Sequence, residues 1–166
     1  MRLPLPTALD PHTSPLVTYL NDHLAGSTVG LDLCRRAAAE HEGTELGAFL
    51  AKLAGEIEAD RGALHEIMDA IGAPADRVKV AVAWAGEKAT RMKLMVMSSV
   101  SPLEEIEMLL IGITGKLALW RALREIAPSE PRLPLPRIEA LIARAEQQVA
   151  DVEKHRLEAA RTSLLP

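Results

Sequence analysis

Apolar residues recur every three or four positions along most of the chain, which is the period of an amphipathic α-helix. Residues typical of helix ends divide this pattern into segments. A Ser or Thr precedes three of the segments, and a glycine follows the first two. We therefore predict five helices. Their approximate ranges are 15–42, 45–71, 76–98, 102–127 and 137–162.

The links between these segments indicate how the helices are arranged. Gly43 and Thr44 leave only a short link between the first two helices, so these helices should form an antiparallel hairpin. The link over 128–136 contains four prolines, which predicts an extended and semi-rigid linker. The expected architecture is an all-α antiparallel four-helix bundle with one additional helix, in a single domain over 1–166.

A single charged residue interrupts the most apolar part of the sequence. Lys116 is the only charge between Met108 and Trp120, a run that is apolar nearly all round and predicts the most buried helix. A charge at this place needs a partner or a path to water, and Asp60 or Glu56 on the second helix lies at the same depth. We therefore predict a polar centre in the bundle. Its predicted members are Ser27, Glu56, Asp60, Arg61, Lys116 and Gln148.

Composition and charge exclude several classes of function. The net charge is −4 and only 2% of the residues are aromatic, which argues against a nucleic-acid partner. Cys34 is the single cysteine, so the chain has no intramolecular disulfide and fits a reducing compartment. No apolar run reaches the roughly 18 residues that a membrane-spanning helix needs. We expect a cytoplasmic protein without membrane contact.

Four segments of the first predicted hairpin carry a resemblance to known proteins: Tyr19–Asp22, Gly43–Leu50, Glu56–Arg61 and Leu64–Met68. In these segments the chain resembles the ferritin-like superfamily, and it is most similar to small bacterial ferritin-like proteins of poorly defined function, some of them linked to stress. The resemblance implies a ferritin-like four-helix bundle.

The residues that would hold metal in such a bundle are missing. Ferritin-like di-metal sites use a Glu on each of two helices and Glu-x-x-His on each of the other two, and no Glu-x-x-His occurs in this sequence. Ser27 stands where we would place the ligand of the first helix, and Arg61 and Lys116 would repel cations. We expect no di-metal centre and no cofactor. If a metal binds, the candidate ligands are His23, Glu56 and Asp60.

Three functions are compatible with these patterns. The first is a non-catalytic bundle with an interaction, assembly or stress-associated role and a salt-bridged core. The second is a metal-dependent or small-molecule-binding protein with a pocket at the bundle centre. The third is a helical dimer that uses the apolar residues Trp84, Leu94 and Met95 of the third predicted helix. We favour the first function and do not expect an enzyme. The partner stays open, with a homodimer through helical faces as one alternative.

Overall fold

The computed structural model describes residues 14–75 and 101–164. This part of the chain is all-helical and contains four α-helices. The predicted helix over 76–98, with the apolar residues proposed for dimer formation, lies outside the described residues. The four helices are α1 (Pro15–Glu40), α2 (Glu45–Ile71), α3 (Pro102–Ile126) and α4 (Leu135–Ser163).

Capping residues set the ends of α2 and α3. The hydroxyl of Thr44 accepts a hydrogen bond from the Gly47 N–H at 3.0 Å, which satisfies one of the free donors of the first turn of α2. Gly72 ends α2 in the left-handed conformation, with φ of 70°. Ser101 accepts a hydrogen bond from the Glu104 N–H at 3.4 Å at the start of α3. These helix ends are therefore local properties of the sequence.

The ends of α1 differ from the prediction in detail. Ser14 has the extended conformation that precedes a helix, but its side chain makes no capping hydrogen bond within the described structure. The helix ends at Glu40, earlier than predicted, and His41 is the C-terminal cap residue. Gly43 adopts φ of 80° in the following turn. The glycine therefore shapes the turn and does not itself end the helix.

The linker predicted over 128–136 is shorter than expected, since only residues 130–134 are non-helical. Ala127–Ser129 forms a short 3-10 turn, and α4 already begins at Leu135. Pro128 and Pro136 both occupy the first turn of their helical segments. A proline is tolerated there because the N–H it lacks would have no partner within the helix. Proline density alone therefore overestimated the length of non-helical chain.

The helices form two antiparallel hairpins packed against each other. The hairpins are α1–α2 and α3–α4, with further contacts of α1 with α3 and of α2 with α4. Asn21 donates a hydrogen bond to the Pro74 carbonyl, which places the end of α2 beside the start of α1. His41 contacts Glu105 at 3.3 Å, which places the start of α3 beside the end of α1. Consequently α2 and α3 run in the same direction.

The core consists of two apolar clusters along the bundle axis. Trp120 and Leu123 lie in the cluster near the start of α1, where each is at most 1% exposed. Leu53 and Ile106 lie in the other cluster, where each is at most 2% exposed. Burying one large apolar side chain stabilises a fold by about 1.5–3 kcal/mol. These clusters therefore hold the helices together and enclose the polar residues described below.

The prediction that Lys116 lies on the most buried helix is wrong. Ile111 of α3 is 66% exposed, and Thr114 and Ala118 are exposed as well. Among the described elements α3 packs mainly on α1 and α4, so its outer side is uncovered there. A lack of charge therefore did not imply burial. We call this surface the outer α3 stripe, formed by the exposed residues Ile111, Gly112, Thr114 and Ala118.

Candidate functional site

Three helices bring polar side chains together at the bundle centre. Asp60 lies on the inward face of α2 and is 2% exposed. The ammonium of Lys116 on α3 donates a hydrogen bond to Asp60 Oδ2 at 2.5 Å. It donates a second one to Gln148 Oε1 on α4, also at 2.5 Å. This is the pairing of Lys116 with Asp60 that the helical pattern favours.

Gln148 connects the two carboxylates of α2. Its amide Nε2 donates to Glu56 Oε2 at 3.0 Å and to Asp60 Oδ2 at 3.3 Å. Glu56 also forms an ion pair at 3.6 Å with Lys52, whose side chain is 75% exposed. The amide can serve these partners because it combines an acceptor oxygen with two N–H donors. Gln148 thus joins the buried charges to the more exposed end of the network.

A second cation reaches Asp60 from α4. Arg144 Nη2 forms an ion pair with Asp60 Oδ1, but no N–H of the described residues is aligned with that oxygen, so the contact is electrostatic. The Arg144 side chain is 39% exposed and opens to solvent. The sequence prediction missed Arg144, although it lies one helical turn before Gln148, a spacing that places both on one face. We call Glu56, Asp60, Lys116, Arg144 and Gln148 the central cluster.

Burial and charge act in opposite directions on Lys116. Burial lowers the pKa of Lys116 most strongly because it disfavours the charged form. The charge and hydrogen bond of Asp60 raise this pKa, Arg144 lowers it, and Glu56 raises it. The central cluster therefore contains its own counterions, and each oxygen of Asp60 faces a cation.

Two predicted members lie outside the central cluster. The Ser27 hydroxyl donates to the Leu24 carbonyl of its own helix at 2.6 Å. Arg61 forms no hydrogen bond or ion pair with the cluster within the described structure, and its Nε is buried without a hydrogen-bond partner there. Neither residue therefore shares a hydrogen bond or ion pair with the central cluster in the described part of the chain. A helical wheel gives the side of a helix but not the direction in which a side chain bends.

The candidate metal ligands are not brought together. His23 packs edge to face on Tyr19, with 4.6 Å between ring centroids. Burial lowers the pKa of His23, and the charge of Asp22 opposes this. Over residues 14–75 and 101–164, no group of three or more His, Cys, Asp and Glu side chains is placed to hold a metal ion. Glu56 and Asp60 are instead engaged by Gln148 and the cations.

Cys34 is a buried thiol next to the second apolar cluster. It is 0% exposed and donates a hydrogen bond to the Leu50 carbonyl at 3.3 Å. Burial raises the pKa of Cys34 to about 12, and the charge of Lys116 opposes this rise. Since the thiolate is the reactive form of cysteine, this site does not suit a nucleophile.

Comparison with known proteins gives no relative. The sequence matches no protein-family model, and neither the curated proteins nor the solved structures give a significant match. None of the described helices is long and apolar enough to cross a membrane.

Proposed function

We propose that the protein is a non-catalytic, ferritin-like four-helix bundle with an interaction or assembly role. The observation that carries this proposal is the contact of Lys116 and Arg144 with the two oxygens of Asp60. In this proposal the central cluster has a structural role and fixes the register of α2, α3 and α4. The protein acts through its outer surface.

The charge balance of the centre supports a structural role. A di-metal centre needs several carboxylates whose oxygens are free to bind hard cations. Here Asp60 already faces an ammonium and a guanidinium, and Glu56 accepts a hydrogen bond from Gln148. A metal ion would have to displace Lys116 from its partners and then lie beside two positive charges.

The order of the helices supports the ferritin-like part of the proposal. Bundles of this class contain two antiparallel hairpins joined by one long crossover. The described helices form two such hairpins, and α2 and α3 run in the same direction.

The outer α3 stripe supports a role in interaction. It carries no charged residue and includes Ile111, which is 66% exposed. In this proposal the stripe is the contact surface, and a second copy of the chain is one candidate partner.

Metal content tests the proposal directly. We would purify the protein after expression with added iron, manganese and zinc, and measure metal per chain by mass spectrometry. The expected result is no metal above that of a helical control protein, and no rise in melting temperature when the metals are added back. About two metal ions per chain, the stoichiometry of a di-metal bundle, would overturn the proposal.

Replacement of Lys116 tests the structural role separately. Lys116→Met leaves Asp60 buried with a single, partly exposed cation, and we expect a loss of about 3–5 kcal/mol of unfolding free energy. The matched control is Lys154→Met, because the Lys154 side chain is 73% exposed and the same charge is removed. Equal stability of the two variants in urea unfolding would show that the central cluster does not support the fold.

A further inference from the structure

Charges of opposite sign flank the outer α3 stripe at equal distances from Thr114. Glu107 lies seven residues before Thr114 and Arg121 lies seven residues after it. Seven residues are close to two helical turns, so these three residues lie on the same side of α3. The side chain of Glu107 is 46% exposed and that of Arg121 is 51% exposed. Lys116, the only charge between them, turns inward to Asp60.

The centre of the stripe can be covered without leaving a polar group unpaired. The Thr114 hydroxyl donates a hydrogen bond to the Leu110 carbonyl at 2.8 Å, so its partner lies within the same helix. A Cβ on Gly115 would meet no neighbouring element within 4 Å in the described part of the chain. Gly115 and Ala118 therefore leave room for a second helix to approach. Ile111 is the one large apolar side chain that this surface exposes.

A second copy of α3 fits this surface when it runs antiparallel. Two-fold symmetry places residue i of one copy beside residue j of the other, and j beside i. With the axis at Thr114, Glu107 of each copy lies beside Arg121 of the other. Ile111 of each copy then lies beside Ala118 of the other, so the largest side chain of the stripe meets a small one. A parallel arrangement would instead place like charges opposite each other.

The partners of Glu107 and Arg121 within the chain extend the same charge pattern. Glu107 pairs with Arg156 at 3.4 Å, and Arg121 pairs with Glu146 at 2.8 Å. The order across each contact would be Arg156 and Glu107 of one copy, followed by Arg121 and Glu146 of the second copy. The signs alternate along this order, and Glu153, which binds Arg156, continues the alternation. The surface is therefore complementary in charge to its own two-fold copy.

We propose that two copies of the chain bind each other through the outer α3 stripe, antiparallel and with Thr114 at the two-fold axis. This inference rests on the interaction role proposed above and names the partner. Ile111 supplies the apolar contact, and Glu107 and Arg121 set the orientation. A contact through one helix face belongs to the small, reversible class of interfaces, so the dimer should dissociate on dilution.

Sedimentation equilibrium of the full-length protein, from about 1 µM to about 1 mM, tests for the dimer. The mass should rise from the 18.0 kDa of one chain towards twice that value. Ile111→Asp should stay monomeric throughout, because it places a charge at the apolar centre of the contact. The control is Leu164→Asp, which makes the same kind of change at a residue that is 69% exposed outside the stripe, and it should dimerise like the parent.

Two results of this experiment would overturn the proposal. One is a parent protein that is monomeric at every concentration; if Ile111→Asp also unfolds at a lower urea concentration, a segment of the same chain covers the stripe. The other is a dimer that Ile111→Asp leaves unchanged. Bound metal would overturn the proposed function whatever the oligomeric state, whereas a metal-free monomer would overturn this inference alone.

Charge reversal tests the orientation of the two copies. Glu107→Arg alone places two cations at each contact, and Arg121→Glu alone places two acids there, so each variant should dimerise at least about tenfold more weakly than the parent. An equal mixture of these two variants should dimerise again, because every contact of the mixed dimer joins a cation to an acid. The control Glu58→Arg reverses an exposed acid that pairs with Arg35 outside the stripe, and it should behave like the parent. A mixture that stays as monomeric as its folded components would contradict the proposal.

Discussion

Two buried carboxylates in this bundle have opposite surroundings. Asp60, at the centre, is 2% exposed and contacts Lys116 and Arg144. Glu105, at the end, is 9% exposed and contacts His41 at 3.3 Å. Burial of a carboxylate is unfavourable in both places: at the centre two cations offset it, whereas at the end burial raises the pKa of Glu105 and the neighbouring His41 opposes the rise. The neighbours therefore decide whether a buried acid fixes the structure or makes it sensitive to pH.

The largest effect is expected when the carboxylate of the centre is removed. Asp60→Leu leaves Lys116 buried without its counterion, and we expect the unfolding free energy to fall by about 3–5 kcal/mol. The control is Glu58→Leu, which breaks an exposed ion pair with Arg35 and should cost less than about 1 kcal/mol. Urea unfolding of both variants gives the comparison. Similar losses in the two would mean that the central ion pair is no more important than a surface pair.

Removing both charges should cost less than removing Asp60 alone. The double variant Asp60→Leu with Lys116→Met removes both members of the buried ion pair. Arg144 remains, but its side chain is partly exposed to solvent. Well-packed apolar replacements of buried ion pairs are often neutral or stabilising. A double-mutant cycle measures the coupling, which should be about 1–3 kcal/mol in favour of the pair. Additive losses would show that the two charges act independently.

Cys34 provides a third buried ionisable group, whose thiol donates a hydrogen bond to the Leu50 carbonyl. With the pKa of Cys34 at about 12, we expect slow native-state labelling by an aromatic disulfide reagent at about pH 8, and fast labelling in urea. Native labelling as fast as in urea would contradict the burial of the thiol.

The same thiol should also affect alkaline stability. Because the folded pKa lies above the ordinary value of 9.0, the protonated thiol favours the folded state. This contribution is complete below pH 9.0 and is lost as the pH rises towards the folded value. Cys34→Ala should therefore lose less stability than the parent between about pH 9 and pH 11. Parallel stability curves would exclude a contribution from Cys34.

Local signals in the sequence were sufficient for most helix ends. Thr44, Gly72 and Ser101 cap their helices through bonds with residues three or four positions away, so no tertiary information was needed. The prolines before α4 misled because their effect depends on whether they fall within the first turn of a helix. The exposure of Ile111 could not be read from the sequence, since it depends on which helices pack around α3.

The candidate site was predictable only in part. Lys116 was conspicuous because it interrupts an apolar run. Asp60 and Gln148 lie near the midpoints of their predicted helices, which places them at the same level along the bundle as Lys116. Arg144 was missed because a long side chain reaches the centre from a position near the surface. The contact of His41 with Glu105 was missed entirely, since it forms where two hairpins meet and no spacing in the sequence relates the two residues. Lys116 and Asp60 also belong to different hairpins, but their contact could be predicted because a lone charge in an apolar run needs a counterion.

The smallest effect is expected at the rim of the central cluster. Lys52 pairs with Glu56 one helical turn away, at 3.6 Å, and its side chain is 75% exposed. Water screens this pair and the long side chain loses rotational freedom in it, so Lys52→Met should change the unfolding free energy by no more than about 0.5 kcal/mol. Urea unfolding of Lys52→Met and Lys116→Met, measured together, tests this prediction. Both variants remove one positive charge, from opposite ends of the same polar network. A loss at Lys52 close to that at Lys116 would mean that Glu56 depends on Lys52 for its charge balance, and that the central cluster extends to the surface.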